Sequence, residues 1–137
     1  MRGLYLGLLL LSTTGLVQEE IGPVGLVQTH RAVDGDTLDA TLILPFGLEY
    51  RPPKGWRAAD YDAVELSEPN GAAARELATE AITNGCVFRL TRPRGELDKY
   101  GRPLAVFLVK RRATDAEYVP LKTLMQERGY LKGMPAP

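Results

Sequence analysis

A mainly β fold carrying helices, a small closed barrel of the α+β class, is what the sequence predicts, and three observations predict it. Short β-rich runs broken by turn residues recur along the chain, and they mostly come as tight hairpins rather than as strands separated by crossover helices. Helical periodicity shows in only two places, one between the third and fourth runs and one after the fifth. With 137 residues, 45% hydrophobic and 25% charged, the chain has one core's worth of apolar side chains and no room for a second domain.

The elements follow in order. Met1-Arg2 precedes an apolar run from Leu4 to Leu11, and then the small polar stretch Ser12-Thr13-Thr14-Gly15. The run is far shorter than the about 20 residues a helix needs to span a bilayer, yet it suits the apolar part of a signal peptide. Residues 1–15 are therefore expected to direct export, with Thr13 and Gly15 small enough to precede a cleavage site, and 16–137 to form the exported domain. Retention as an uncleaved membrane anchor is the alternative, and a buried first strand or helix is the plain structural one.

From Gly25 to Leu44 the β-rich stretches are interrupted by the turn signal Asp34-Gly35-Asp36, which predicts a hairpin. Pro45 to Gly55 holds three prolines and two glycines and reads as a long loop, after which Trp56 to Asp62 resumes an extended segment. In Asn70 to Asn84 the period changes: Ala74, Leu77, Ala78, Ala81 and Ile82 fall on one helical face, and Gly85 stands ready to end the helix. Cys86 to Thr91 and Leu104 to Lys110 are two further strands joined by the polar turn Arg92 to Arg102. Pro120 suits the first position of a short helix bearing Leu121, Leu124 and Met125 on one face and ended by Gly129. Five strands with a helix after the third and another after the fifth is the element order of an OB-fold, so the expectation is an OB-fold five-stranded barrel with two to three helices.

Charge and rare residues narrow the chemistry. Seventeen Lys+Arg balance seventeen Asp+Glu, so any affinity for a polyanion must come from a local patch. Cys86 and His30 are each alone, which excludes an internal disulfide, a Cys-rich zinc site and a histidine metal cluster. What remains is oxygen and guanidinium chemistry.

Three clusters carry it. Asp34-Gly35-Asp36-Thr37 offers carboxylates, hard oxygen ligands suited to calcium or magnesium, though not in the spacing of an EF-hand, since Asp39 stands where that loop needs glycine. Arg57 to Glu65 is an extended segment running into an acidic turn. Arg57 and Asp62 are an odd number of residues apart, so a regular strand would aim them to opposite faces, and only a strand that bulges or curls as it ends lets them share a site. The third cluster is Asp98-Lys99-Tyr100-Gly101-Arg102, just ahead of the apolar run that begins at Leu104.

Taken together the three clusters resemble the staphylococcal nuclease family. Its pattern is an Asp-Gly-Asp-Thr hairpin, then Arg, five residues on an Asp, three further a Glu, and later Asp-Lys-Tyr-Gly-Arg before an apolar strand. The resemblance covers about Val24 to Gly129. It implies that Asp36 and Asp62 ligate one Ca²⁺ together with the main-chain carbonyl of Ala63, and that Asp34 supports those ligands. It implies that Glu65 positions or deprotonates the attacking water, and that Arg57 and Arg102 hold the scissile phosphate. Lys99 and Tyr100 would contact a neighbouring phosphate of the substrate. Departures are Ala63-Val64 where the family commonly has Thr-Pro, a longer Pro45 to Gly55 segment with the reach to cover part of the cleft, and a sequence that ends at Pro137 without the family's third helix, so that one wall of the cleft is expected to be reduced.

The chemistry those residues suit is general. A phosphodiester anion repels hydroxide, so a catalyst must screen charge, place a water in line and stabilise a more highly charged transition state. Guanidinium groups are planar, permanently charged donors that match phosphate oxygens in pairs, which an ammonium does less well. The expectation is a secreted or periplasmic, monomeric, calcium-dependent nuclease of DNA and RNA that leaves 3′-phosphates and has no stable protein partner. The rival is a non-catalytic OB module that binds single strands through basic and aromatic residues. Retention of Arg57, Glu65 and Arg102 together favours the enzyme. An exported structural barrel would leave Lys99, Tyr100 and Arg102 without a purpose.

Overall fold

The computed structural model describes residues 21–91 and 97–133. The elements are β1 (Ile21–Asp34), β2 (Thr37–Ile43), a 3₁₀ turn (Pro45–Gly47), β3 (Glu49–Tyr50), β4 (Trp56–Ala58), α1 (Gly71–Asn84), β5 (Cys86–Thr91), β6 (Leu104–Val109), β7 (Val119–Pro120) and α2 (Leu121–Arg128). The proposed signal segment 1–15, part of the turn Arg92 to Arg102 and the tail from Met134 to Pro137 lie outside the described residues.

Five strands close a ring. β1 pairs antiparallel with β2 on one side and β5 on the other; β5 pairs antiparallel with β6, β6 runs parallel to β4, and β4 pairs antiparallel with β2. The chain is thus a closed five-stranded barrel with two α-helices, an OB-fold-like α+β architecture. The one parallel pair is made possible by the long connection through α1 and β5, since parallel neighbours cannot be joined by a tight turn. Closure leaves β1 with a partner on both sides, and its length is accommodated by register shifts at Ala32/Asp34 and Thr29/Arg31.

The barrel is filled by Leu38, Phe88, Phe107 and Val109, all essentially inaccessible to solvent. Trp56 meets Phe88 edge-on at 5.2 Å between ring centroids, and Phe88 lies 5.0 Å from Phe107. The indole N–H of Trp56 is satisfied inside this apolar setting by donating to the Ala40 carbonyl at 3.0 Å. α1 turns Ala74, Ala78, Ala81 and Ile82 inward, and α2 adds Leu121, Leu124 and Met125 to the same core. The small alanines let α1 approach closely. A Cβ placed on Gly35 would stand 2.7 Å from the Ala63 Cβ and 3.1 Å from the Ala74 Cβ, so helix, hairpin turn and site loop meet there only because residue 35 lacks a side chain.

Three expectations need correction. Pro45 to Gly55 is not a single loop: Leu44 N–H donates to the Leu48 carbonyl at 2.9 Å and Leu48 N–H to the Pro45 carbonyl at 3.2 Å, and the returning residues pair with β2 as Leu42↔Tyr50 and Ile43↔Glu49. Its backbone polar groups find partners on the edge of β2 at the end remote from the Asp34-Gly35-Asp36 turn, so the segment folds away from the cleft and only Lys54 reaches it. The extended run from Trp56 to Asp62 is a strand only as far as Ala58. Pro120 precedes α2 as its cap rather than beginning it, and forms with Val119 the short strand β7 against β6. Among the described residues no helix is long and apolar enough to cross a membrane.

Candidate active site

The site is built on three neighbouring strands. β2 begins at Thr37 beside Arg57 of β4, and Arg57 stands beside Leu104 of β6. The Arg57 N–H donates to the Pro103 carbonyl at 2.9 Å. The parallel pairing of β4 with β6 therefore brings Arg57 and Arg102 side by side, although 45 positions separate them in sequence. Above these strand ends opens a cleft of about 640 Å³. Arg57, Glu65, Arg102, Asp36, Asp62, Ala63, Lys99 and Tyr100 all line it, with Asp34 beside them.

Arg57 is held by its own backbone surroundings. Its Nη1 donates to the carbonyls of Ala58 at 3.1 Å and Tyr61 at 2.9 Å, which fixes the fork while Nη2 meets Asp62 and lies 3.3 Å from Asp36 Oδ2. The odd spacing between Arg57 and Asp62 is overcome because β4 ends at Ala58 and the chain turns back across the strand end. The buried Tyr61 anchors that turn by donating from its hydroxyl to the Gly35 carbonyl at 2.6 Å.

Asp36 is a buried carboxylate. Its Oδ2 accepts from the Ala63 N–H at 2.8 Å, and Oδ1 lies 3.4 Å from the Thr37 hydroxyl. Burial first, then the neighbouring Asp34, push its carboxyl up to about 6, against the lowering influence of Ala63 and Arg57. Asp34 in turn accepts from the Asp36 N–H at 3.0 Å. Asp36 and Asp62 both reach the same nitrogen of Arg57, so their oxygens converge on one cationic position. Among the described residues no group of three or more His, Cys, Asp or Glu side chains is arranged to hold a metal. Donors for a cation here would be two carboxylates completed by main-chain or water oxygen.

Arg102 is fixed by the loop it ends. Asp98 Oδ1 accepts from the N–H groups of Tyr100 at 2.9 Å and Arg102 at 2.8 Å, and Oδ2 accepts from Arg102 Nε at 2.6 Å. Burial raises the Asp98 carboxyl, but these hydrogen bonds outweigh it and hold the group below its ordinary value. Gly101 supplies the left-handed φ of 82° that closes the loop. Arg102 Nη1 then donates to the Thr37 hydroxyl at 3.0 Å, which links the loop to β2, and its guanidinium lies 5.3 Å from the centre of the exposed Tyr100 ring. Lys99 Nζ lies 5.2 Å from the same ring.

Glu65 is exposed at the rim. Its N–H donates to Glu68 Oε1 at 2.6 Å, and the Lys132 ammonium donates to its Oε2 at 2.6 Å. Lys132, Lys54 and Asp98 are lining residues that the sequence reading did not assign to the site. Asp98 could have been found, because it opens the Asp-Lys-Tyr-Gly-Arg run; Lys54 and Lys132 carry no local signal at all. No family model matches the chain, and no curated protein matches it.

Proposed function

We propose that the chain is a nuclease of the staphylococcal nuclease type, a calcium-dependent hydrolase of DNA and RNA phosphodiesters that leaves 3′-phosphates. The observation that carries this reading is the meeting of two immobilised arginines, a convergent carboxylate pair and an exposed glutamate in one open polar cleft. The donor set fits a hard divalent cation, since it is all oxygen and its buried member, Asp36, is crowded by a second carboxylate, an environment that a positive charge relieves. Asp36, Asp62 and the Ala63 carbonyl would hold the ion, which when bound supplies charge neutralisation beside the phosphate. Arg57 on β4 and Arg102, two residues ahead of the parallel strand β6, direct their guanidinium groups to the same phosphoryl group and stabilise the charge that grows on it during in-line attack. Glu65 at the rim orients the water, and Lys99 with Tyr100 grips the next phosphate along the strand. Thr37 and Asp98 keep the Arg102 fork from swinging out.

The test is a gel containing DNA. Renatured protein should clear the gel with calcium and leave it intact with chelator. Retention of DNA by filter binding without any clearing would instead identify a binding module. Export of the mature domain belongs to the same reading, motivated by Arg2 and the apolar run Leu4 to Leu11.

A further inference from the structure

The segment after α2 returns to the cleft. Val64 N–H donates to the Tyr130 carbonyl at 2.9 Å and Lys132 N–H donates to the Asp62 carbonyl at 2.8 Å, so Ala63 and Leu131 face each other across a short antiparallel bridge. The bridge spans the turn that carries Asp62, Ala63 and Glu65, and its last residue sends an ammonium to Glu65 Oε2. Both side chains are about half exposed, so the pair is no requirement of folding. A carboxylate that must hold a water is better served by one orientation than by many, and an ion pair anchored to the backbone of the same turn restricts it.

We propose that Lys132 is a positioning residue for Glu65, and that the backbone bridge of residues 130–132 holds it in the wall of the active site beside the water-holding carboxylate. Lys132 acts through Glu65 and not on the phosphate: its ammonium is committed to Oε2, whereas Arg57 and Arg102 already stand over the strand ends where the phosphate is expected. This inference rests on the nuclease reading, with Glu65 as the residue that orients water.

The experiment is a double-mutant cycle on the full chain with DNA and calcium, using Lys132→Ala, Lys132→Arg, Glu65→Gln and Glu65→Gln/Lys132→Ala. Lys132→Ala should lower kcat about tenfold, the scale of a mispositioned catalytic group. KM should stay within about threefold of wild type, since no ground-state contact to substrate is removed. Lys132→Arg should recover most of the loss, and in the Glu65→Gln background Lys132→Ala should have no further effect. An equal loss in both backgrounds, a rise in KM alone, or full activity in Lys132→Ala overturns the proposal. Wild-type protein that hydrolyses no DNA overturns the nuclease reading and this inference with it; active wild type with additive variants overturns only the role of Lys132.

Discussion

Arg102 is held in place by three hydrogen bonds from its main-chain N–H and its guanidinium and by the Tyr100 ring beside it. A group so restrained enters a transition state with little entropy left to lose, which is why its removal should act on rate. Arg102→Ala is expected to lower kcat by about 10³-fold with a much smaller change in substrate binding, in line with other phosphoryl-stabilising arginines. Arg102→Lys should recover little, because an ammonium cannot donate to Asp98, to Thr37 and to a phosphate with a fixed planar fork. Arg112→Ala is the control: Arg112 is exposed, lies outside the cleft and pairs with Asp115 at 3.5 Å. Steady-state kinetics decide; equal losses in the two alanine variants, or a rise in KM alone for Arg102→Ala, would make Arg102 part of a binding surface. The sequence made Arg57, Arg102 and the acidic residues legible as candidates because their types suit phosphate chemistry. Lys132 and Lys54 were illegible because lysine is common on any surface, and only the backbone bridge at Leu131 and the pairing of β4 with the start of β2 bring them to the cleft.

Elements position the site through close backbone approach as much as through side chains. The hairpin around Asp34-Gly35-Asp36, α1 and β5 follow from turn chemistry and periodicity, so the sequence reading and the structure agree there within a few residues. β7 and the Ala63–Leu131 bridge were not foreseen, because strands of one or two residues have no period to detect. The N-terminus of α1 shows the kind of constraint that patterns miss. Gly71 begins the helix directly under the Glu65 turn, and a Cβ there would run into the Glu65 carbonyl oxygen and come within 2.6 Å of the Leu66 carbonyl oxygen. Both are backbone atoms, so relief requires moving the turn itself. Gly71→Ala, which helix propensity alone would favour by up to about 1 kcal/mol, is therefore expected to displace Glu65, lowering kcat at least about tenfold while the melting temperature falls. A variant that is fully active and as stable as wild type would show that the turn is free to shift.

At the scale of the whole molecule, the cleft places a stability burden on the barrel. Asp36 is buried near Asp34 and Asp62, and its charged form is disfavoured by burial and by Asp34 more than Ala63 and Arg57 favour it. Replacing it by Asn removes the buried charge while keeping an oxygen able to accept from the Ala63 N–H, so in chelator Asp36→Asn should melt higher than wild type. Calcium should reverse the order. An ion bound only by the folded state stabilises it by mass action, about 2.7 kcal/mol when present at about 100 times its dissociation constant. In a domain of this size each 1 kcal/mol moves Tm by roughly 4 °C, so saturating calcium should raise the wild-type Tm by about 10 °C. Asp36→Asn should show little of that shift and no nuclease activity. Arg57 shares its Nη2 with both carboxylates, and calcium binding would free that nitrogen toward the phosphate while Nη1 stays on the Ala58 and Tyr61 carbonyls. Thermal melts of the two proteins with calcium and with chelator distinguish the outcomes. No calcium shift in wild type removes the ion from this cleft; an equal shift in both proteins places it elsewhere on the molecule; and a lower Tm for Asp36→Asn in chelator means that its pairing with Arg57 outweighs its burial.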